Sequence, residues 1–559
     1  MKLNQKSKLI KMNKINLFTF GLALSLGSLF GQGQVTITDA DLVGNTTYNW
    51  TKNNEYLLDG FVFVESGSTL NIEEGTVIKA KETPSTADNA SALIITQGAK
   101  INAVGTAAEP VIFTTEYDDV NDNTDLLATD RGLWGGLIIL GYGQLAFQSP
   151  TANVEGIPTT ETRAVYGGSD DSDNSGTLRY VSIRHGGAEL SPGDEINGLT
   201  LGGVGSATTI EFVEVFANQD DGIEWFGGAV ECKNLIVSYC GDDCYDYDFG
   251  WRGKGQFWFA LVGEDDGDNA GEHDGAKPDG ASPYSNPTIY NATYIGAGVG
   301  AVAKNSTAIH FRDASAGTYA NSIFTDFANA ALEVEDLPAS SGVDSRKRME
   351  DGELNLLNNI WYNFGSGNQI SADTLNGIFR ATGDAEDPNC QFLIDHFNNN
   401  SNELANPLLG NISRSTSQAL NPIPDVNGPA YQNLALSPSG SFFENVNYKG
   451  AFGDNNWAIN WTAISSYGYM ENSTSIEEKV TGLPLRFYPN PSAGSLFFDN
   501  NEDWNVLSVI NTIGQEVLRV KLEKQINVNL DLSMLENGVY TIVVTKQNIS
   551  QAERIQILK

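Results

Sequence analysis

Between residues 34 and 470 apolar and polar positions alternate with a period of two, in short runs punctuated by Gly, Asn and Asp. Gly60-Phe61-Val62-Phe63-Val64, Ser68-Thr69-Leu70-Asn71-Ile72, Thr76-Val77-Ile78-Lys79-Ala80 and Pro110-Val111-Ile112-Phe113-Thr114 show it most clearly. Such runs predict strands, because successive side chains of a strand point to opposite faces. Lys and Glu runs with helical spacing are nearly absent, so the chain reads as all-β.

A repeat underlies the strands. On a shift of 22 residues Asp220-Asp221-Gly222-Ile223-Glu224-Trp225 falls on Asp242-Asp243-Cys244-Tyr245-Asp246-Tyr247, and Gly228 on Gly250. Phe212-Val213-Glu214-Val215 falls on Asn234-Leu235-Ile236-Val237, and Leu235, Val237 and Tyr239 fall on Phe257, Phe259 and Leu261. Leu178–Ile183 looks like an older copy of Ile210–Val215, with weaker echoes at Asn291–Ile295, Asn321–Phe324 and Asn359–Tyr362. A period just over twenty, made of short strands with Gly/Asn/Asp corners, predicts the coils of a parallel β-helix, each burying its inner face by stacking on the next. A β-propeller would need a period near forty.

Three insertions interrupt the coils: Glu116–Gly132, Leu190–Glu195 and Glu264–Asn286. Residues 384–448 read as irregular late coils, with Trp457 and Trp461 closing that end. The expected organisation is a signal peptide over 1–33, the β-helix with acidic insertions and a cap over 34–470, a linker over 471–483 and a separate domain over 484–559.

Stacking makes a prediction about the acids. Coils lie about 4.8 Å apart, so Asp220 should sit over Asp242, Asp221 over Asp243 and Glu224 over Asp246. Ile223 and Trp225 should then point inward over Tyr245 and Tyr247, since the opposite parity would bury a ladder of carboxylates. By the same parity Phe257 and Phe259 point inward and Trp258 outward, where an exposed ring could stack on sugars or be covered by an insertion. Stacked carboxylates repel, so a cation, a raised pKa or a base such as Arg252 or Lys254 must compensate. Equally, the acids are corner residues with solvated charge.

Charge and cysteine content set the compartment. The formal charge is −37; removing residues 1–33 takes away five lysines and no acid, leaving 28 basic against 70 acidic residues and a charge of −42. Such a surface repels nucleic acid and anionic membrane and suits divalent cations or neutral polymers. Lys2, Lys6, Lys8, Lys11 and Lys14, the apolar run Leu17–Phe30 and Gly31-Gln32-Gly33 form a signal-peptide pattern, too short to span a membrane. No later run predicts a transmembrane helix, and four cysteines (Cys232, Cys240, Cys244, Cys390) are too few for a disulfide framework.

The tail carries Pro489, Asn490 and Pro491, then Val506–Ile510, a turn at Gly514, Gly538-Val539-Tyr540 and a terminal Arg554–Lys559. This order resembles the C-terminal sorting domain read by the type IX secretion system of the Bacteroidetes. The resemblance implies a small β-sandwich, handling by that secretion machinery, and a secreted or outer-membrane-surface location. Trp134–Gly141, Asn197–Gly205 and Asp221–Gly228 resemble uncharacterised exported right-handed parallel β-helix proteins of the same group, which implies a fold and no activity.

Three functions follow as candidates. Hard oxygen ligands at close spacing suit calcium, with Asp220, Asp221, Asp242 and Asp243 as one ligand set, Asp171 and Asp173 as another, and Asp119, Asn121, Asn123 and Asp125 as a third. Asp171–Gly176 matches the start of a calcium loop but has Ser182 in place of the closing Glu. Asp221-Gly222 followed by Asp242-Asp243 also resembles the aspartates of polygalacturonase-type hydrolases. That resemblance implies Asp242 as general acid, with Asp221 and Asp243 activating water; Leu261-Val262-Gly263 stands where the family has Gly-His-Gly. A structural surface role is the third. His185, His273, His310 and His396 lack zinc spacing, and no phosphate loop or nucleophile elbow occurs. The chain therefore reads as an exported β-helix that binds glycan or matrix, with calcium.

Overall fold

The computed structural model describes residues 33–191, 193–301, 307–365, 377–387, 389–471, 487–500, 504–511, 516–522, 527–546 and 549–559. The expected leader, nearly all of the linker and Gly514 lie outside them.

Two sheets wind together through the body. A ten-stranded parallel sheet runs from Phe61–Val64 to Phe379–Thr382, and an 18-stranded sheet forms the other walls. The larger sheet bends along a line of single residues with φ near +55°: Tyr180, Phe212, Asn234 and Phe257 in the long strands, Asn291, Asn321 and Asn358 in later coils. Asn tolerates this left-handed backbone better than most residues. The bend divides the sheet into two arms, so each coil has three walls around one apolar core.

The 22-residue register holds where it was read most directly. Ile223 pairs with Tyr245, Glu224 with Asp246 and Trp225 with Tyr247. Ile223, Trp225, Tyr245 and Tyr247 are inward and fully buried. Leu178 pairs with Ile210, and Tyr294 with Phe324 and then Trp361 across later coils.

One coil further the register slips. Leu235 pairs with Trp258, Ile236 with Phe259 and Val237 with Ala260, an offset of 23 residues. A slip of one residue turns every side chain to the other face. Trp258 is therefore inward and fully buried, against Trp225, and Phe257 and Phe259 face outward. The exposed sugar-stacking tryptophan does not exist. The extra residue enters between Asp248 and Lys254, where Phe249 and Gly250 both take positive φ.

Two apolar plates cover the outer walls. Helix Gln391–Asn399 closes the late coils, with Leu393 and Phe397 joining the core beside Phe379. Trp457 and Trp461 are not at that end. Their segment returns along the flank, where Phe452 meets Phe259 edge-on at 5.3 Å and Trp461 meets Tyr180 at 5.6 Å. Buried Glu214 anchors it, accepting from Ala463 N at 2.6 Å, Ile464 N at 3.0 Å and Ser182 Oγ at 2.5 Å. A further insertion, residues 141–175, has no strand signal in the sequence. Its Leu145, Val154, Ile157 and Tyr166 pack on Phe63, Ile94, Ile138 and Phe226 of the ten-stranded sheet. Cys232, Cys240, Cys244 and Cys390 are buried free thiols.

The chain divides into compact units at Glu471/Asn472. The second has a three-stranded and a four-stranded antiparallel sheet around Leu496, Phe498, Leu507, Val509, Ile542, Val544 and Ile557. The sorting-motif residues hold its ends together. Pro489 and Pro491 flank Asn490, which donates to Arg554 O and accepts from Gln556 N. Tyr540, two residues after Gly538 opens its strand, donates to Glu536 O. Lys559 N donates to Asn537 Oδ1, and its ammonium to Ser533 O.

Candidate functional site

The outward row of the ten-stranded sheet changes character along the solenoid. Paired strand by strand it reads Ile94, Ile138, Thr200, Glu224, Asp246, Glu272, His310, Glu333, Arg380. Its apolar start lies under the 141–175 insertion; its acidic middle begins where that cover ends.

Beside this row runs a corner ladder, two residues before each strand: Asn197, Asp221, Asp243 and Asn269. Each aspartate receives the amide of the coil above. Asp243 N donates to Asp221 Oδ1 at 2.9 Å, and Asn269 N donates to Asp243 Oδ1 at 2.5 Å. Both carboxylates are buried, 8 % and 5 % exposed. The ladder explains Asp at the corner and leaves one oxygen of each carboxylate for other work.

Two carboxylate groups meet at Asp221. Oxygens of Asp220, Asp221 and Asp242 lie within 4.8 Å of one another, and so do oxygens of Asp221, Glu224 and Asp246. Asp246 Oδ1 is buried with no hydrogen-bond partner, and so is Asn197 Oδ1; the Asn197 amide nitrogen donates to Glu224. Burial, then repulsion by Asp242 and by Glu195 and Glu155, pushes the Asp220 carboxyl up to about 7. Burial, and then their acidic neighbours, raise Asp221, Glu224 and Asp246 well above the carboxylate range. Asp248 is pushed up to about 8 by burial and by Asp274.

The expected bases are engaged elsewhere. Arg252 pairs with Asp171 at 2.8 Å, and Lys254 pairs with Glu231. Compensation comes instead from Arg312, two coils on, which meets Glu272 and Asp274 at 2.6 Å each. Acids held this close, with buried orphan oxygens and an oxygen-only donor set, fit a hard divalent cation.

The other sequence candidates disperse. Asp171 also accepts from Gln144 N, and Asp173 accepts from Ser175 Oγ; neither belongs to the groups above. Asp119, Asn121 and Asp125 bond among themselves, and Asn123 donates to Ser466 O. His273 is core, stacked on Tyr247 at 3.9 Å. Sequence reasoning missed Glu155 and Glu195, which reach the cluster's field from two insertions, and Glu272, which joins the row at an offset of 26 residues past an insertion.

Stacked parallel coils with an acidic row, joined to a C-terminal antiparallel sandwich, define an exported parallel β-helix protein. Residues 43–386 match the pectate-lyase like beta helix domain, and the chain belongs to that family. Residues 486–558 match the secretion system C-terminal sorting domain, which marks proteins exported by type IX secretion to the cell surface or extracellular space. No helix of the described residues is long and apolar enough to cross a membrane. No curated protein and no solved structure matches the chain.

Proposed function

We propose that this exported β-helix binds calcium at the acidic groups meeting on Asp221 and, through it, an extracellular polysaccharide or matrix component. The observation that carries the reading is the convergence of Asp220, Asp221, Asp242, Glu224 and Asp246 within cation-ligand range, with the orphan oxygen of Asp246 among them. Asp221, Glu224 and Asp246 would be the inner ligands, with Asn197 as a neutral one. Asp220 and Asp242 would hold the cation on the solvent side, where a polymer hydroxyl or carboxylate completes its shell. Asp243, tied to Asn269 N, would act by setting the corner.

Hydrolysis by Asp242, Asp221 and Asp243 is less well supported. An inverting glycosidase keeps its carboxyl groups about 6.5–9.5 Å apart to admit water, and oxygens of Asp221 and Asp242 lie within 4.8 Å. A lyase would need Arg312 as a base, yet Asp274 and Glu272 drive its pKa up against the opposing effect of burial.

A glycan array read with calcium and with chelator tests the proposal. Calcium-dependent hits that vanish in Asp221→Asn are expected. Hits indifferent to calcium sink the cation bridge; no hits with full calcium loading leave a structural surface role; release of reducing ends from a polysaccharide panel would restore the enzyme.

A further inference from the structure

A second site lies at the other end of the ten-stranded sheet, independent of the calcium reading. The strand Phe61–Val64 is the first of that sheet, so no coil precedes it. In its place stands the short 3-10 turn Asp39–Asp41, whose Asp39 Oδ1 accepts from Phe63 N at 3.2 Å. The substitution leaves a cleft of about 460 Å³ in front of Phe61 and Phe63. That is within the range of small-ligand sites.

Its walls are fixed without a ligand. One wall is the 82–90 loop, held where Asp59 accepts from Ser85 N at 2.6 Å and Asp88 Oδ2 accepts from Phe61 N at 3.1 Å. The other is the 141–175 insertion, pinned by Ile157 and Val154 in the apolar plate and by Val154 N donating to Ala164 O. Asn89 ties the walls, donating to Leu190 O at 3.0 Å. A preformed cleft loses little entropy on binding.

The lining chooses the ligand. Arg163 lies over the Phe63 ring at 4.0 Å and is gripped by Asp39 and Glu161, with Glu65 at 3.6 Å. These groups hold three negative charges against one positive. Asp88 adds another; both of its hydrogen bonds, from Phe61 N and Thr86 Oγ1, fall on Oδ2, leaving Oδ1 for a ligand. Phe61 supplies an aromatic surface. Acceptors and negative charge beside an aromatic ring select an ammonium group on a compact body rich in C–H and hydroxyl groups.

We propose that this cleft binds an amino-sugar unit of a cationic polysaccharide, its ammonium on Asp88 and its ring on Phe61. Titration calorimetry of the full chain at about 0.15 M salt, with chelator present, tests it with two probes: a fully deacetylated chitosan tetramer and its N-acetylated counterpart. The deacetylated tetramer should bind at least about tenfold tighter, a difference of about 1.4 kcal/mol. Asp88→Asn should weaken it about tenfold. Thr160→Trp, which plugs the exposed rim without changing charge or core, should weaken it as much even if Asp88→Asn disturbs its loop. Equal binding of both tetramers, no binding of either, or binding unchanged by Thr160→Trp overturns the proposal. Because chelator is present, these outcomes are separate from the fate of the calcium site.

Discussion

Trp225 and Trp258 lie face to face inside the solenoid, ring centroids 5.0 Å apart and planes 4° from parallel. They come from different walls of the coil, and Trp251 stacks on the other ring contact of Trp225 at 4.8 Å. This aromatic pillar stands directly behind the acidic row, since Trp225 alternates with Glu224 on one strand.

Trp258→Ala should therefore cost about 3–5 kcal/mol, the price of a large buried ring, and lower the Tm of the body. Were Trp258 an exposed ring, the same substitution would leave Tm nearly unchanged. Differential scanning calorimetry decides between the two.

The acidic row predicts an unusual pH dependence for the metal-free protein. Folded-state pKa values near 7 for Asp220 and near 8 for Asp248 lie above their unfolded value. The folded state therefore binds more protons, and stability falls as pH rises from about 5 to about 8. Arg312 limits the effect at Asp274, whose pKa burial still pushes up to about 6. Chelated protein should melt at a lower temperature at pH 8 than at pH 5, and calcium should restore the difference. A chelated Tm that rises across that interval contradicts the assignment.

Glu214→Ala should loosen the flank. It strips the acceptor from two buried amides, Ala463 N and Ile464 N, at a cost of about 2–5 kcal/mol. Limited proteolysis should then cut the 450–470 segment faster than in the parent chain, while the coils behind Trp258 stay protected. Equal cleavage rates would mean that the apolar contacts of Phe452 and Trp461 hold the segment alone.

Removing residues 484–559 should abolish export and retain the body inside the cell envelope. Fractionation with an antibody to the body measures it. Normal appearance of the truncated chain at the surface or in the medium would show that the sorting domain is dispensable.

The coil architecture was legible because the inward positions repeat with a fixed register: Ile223 over Tyr245 and Trp225 over Tyr247 need only one shift of the sequence. The reading broke at Asp248–Lys254, where one added residue at a left-handed corner carries no hydrophobic signature and reverses the parity of Trp258. The tail was legible because its turn residues stand in a fixed order. The acidic core of the site, Asp220, Asp221 and Asp242, followed from stacking, and so did Glu224 over Asp246. Glu155 and Glu195 did not, because insertions approach the solenoid from the side and no register fixes where they land. The flank position of Trp461 was hidden likewise: its partners Tyr180 and Phe212 are nearly three hundred residues earlier in the chain.

Calcium titration of the full chain at pH 7, parent against Asp221→Asn, tests the central claim most directly. Asp221 belongs to both carboxylate groups, so the account predicts saturable calcium binding in the parent and a loss of at least about tenfold in affinity in the variant. Absence of saturable binding in the parent, or equal binding by both chains, would contradict it.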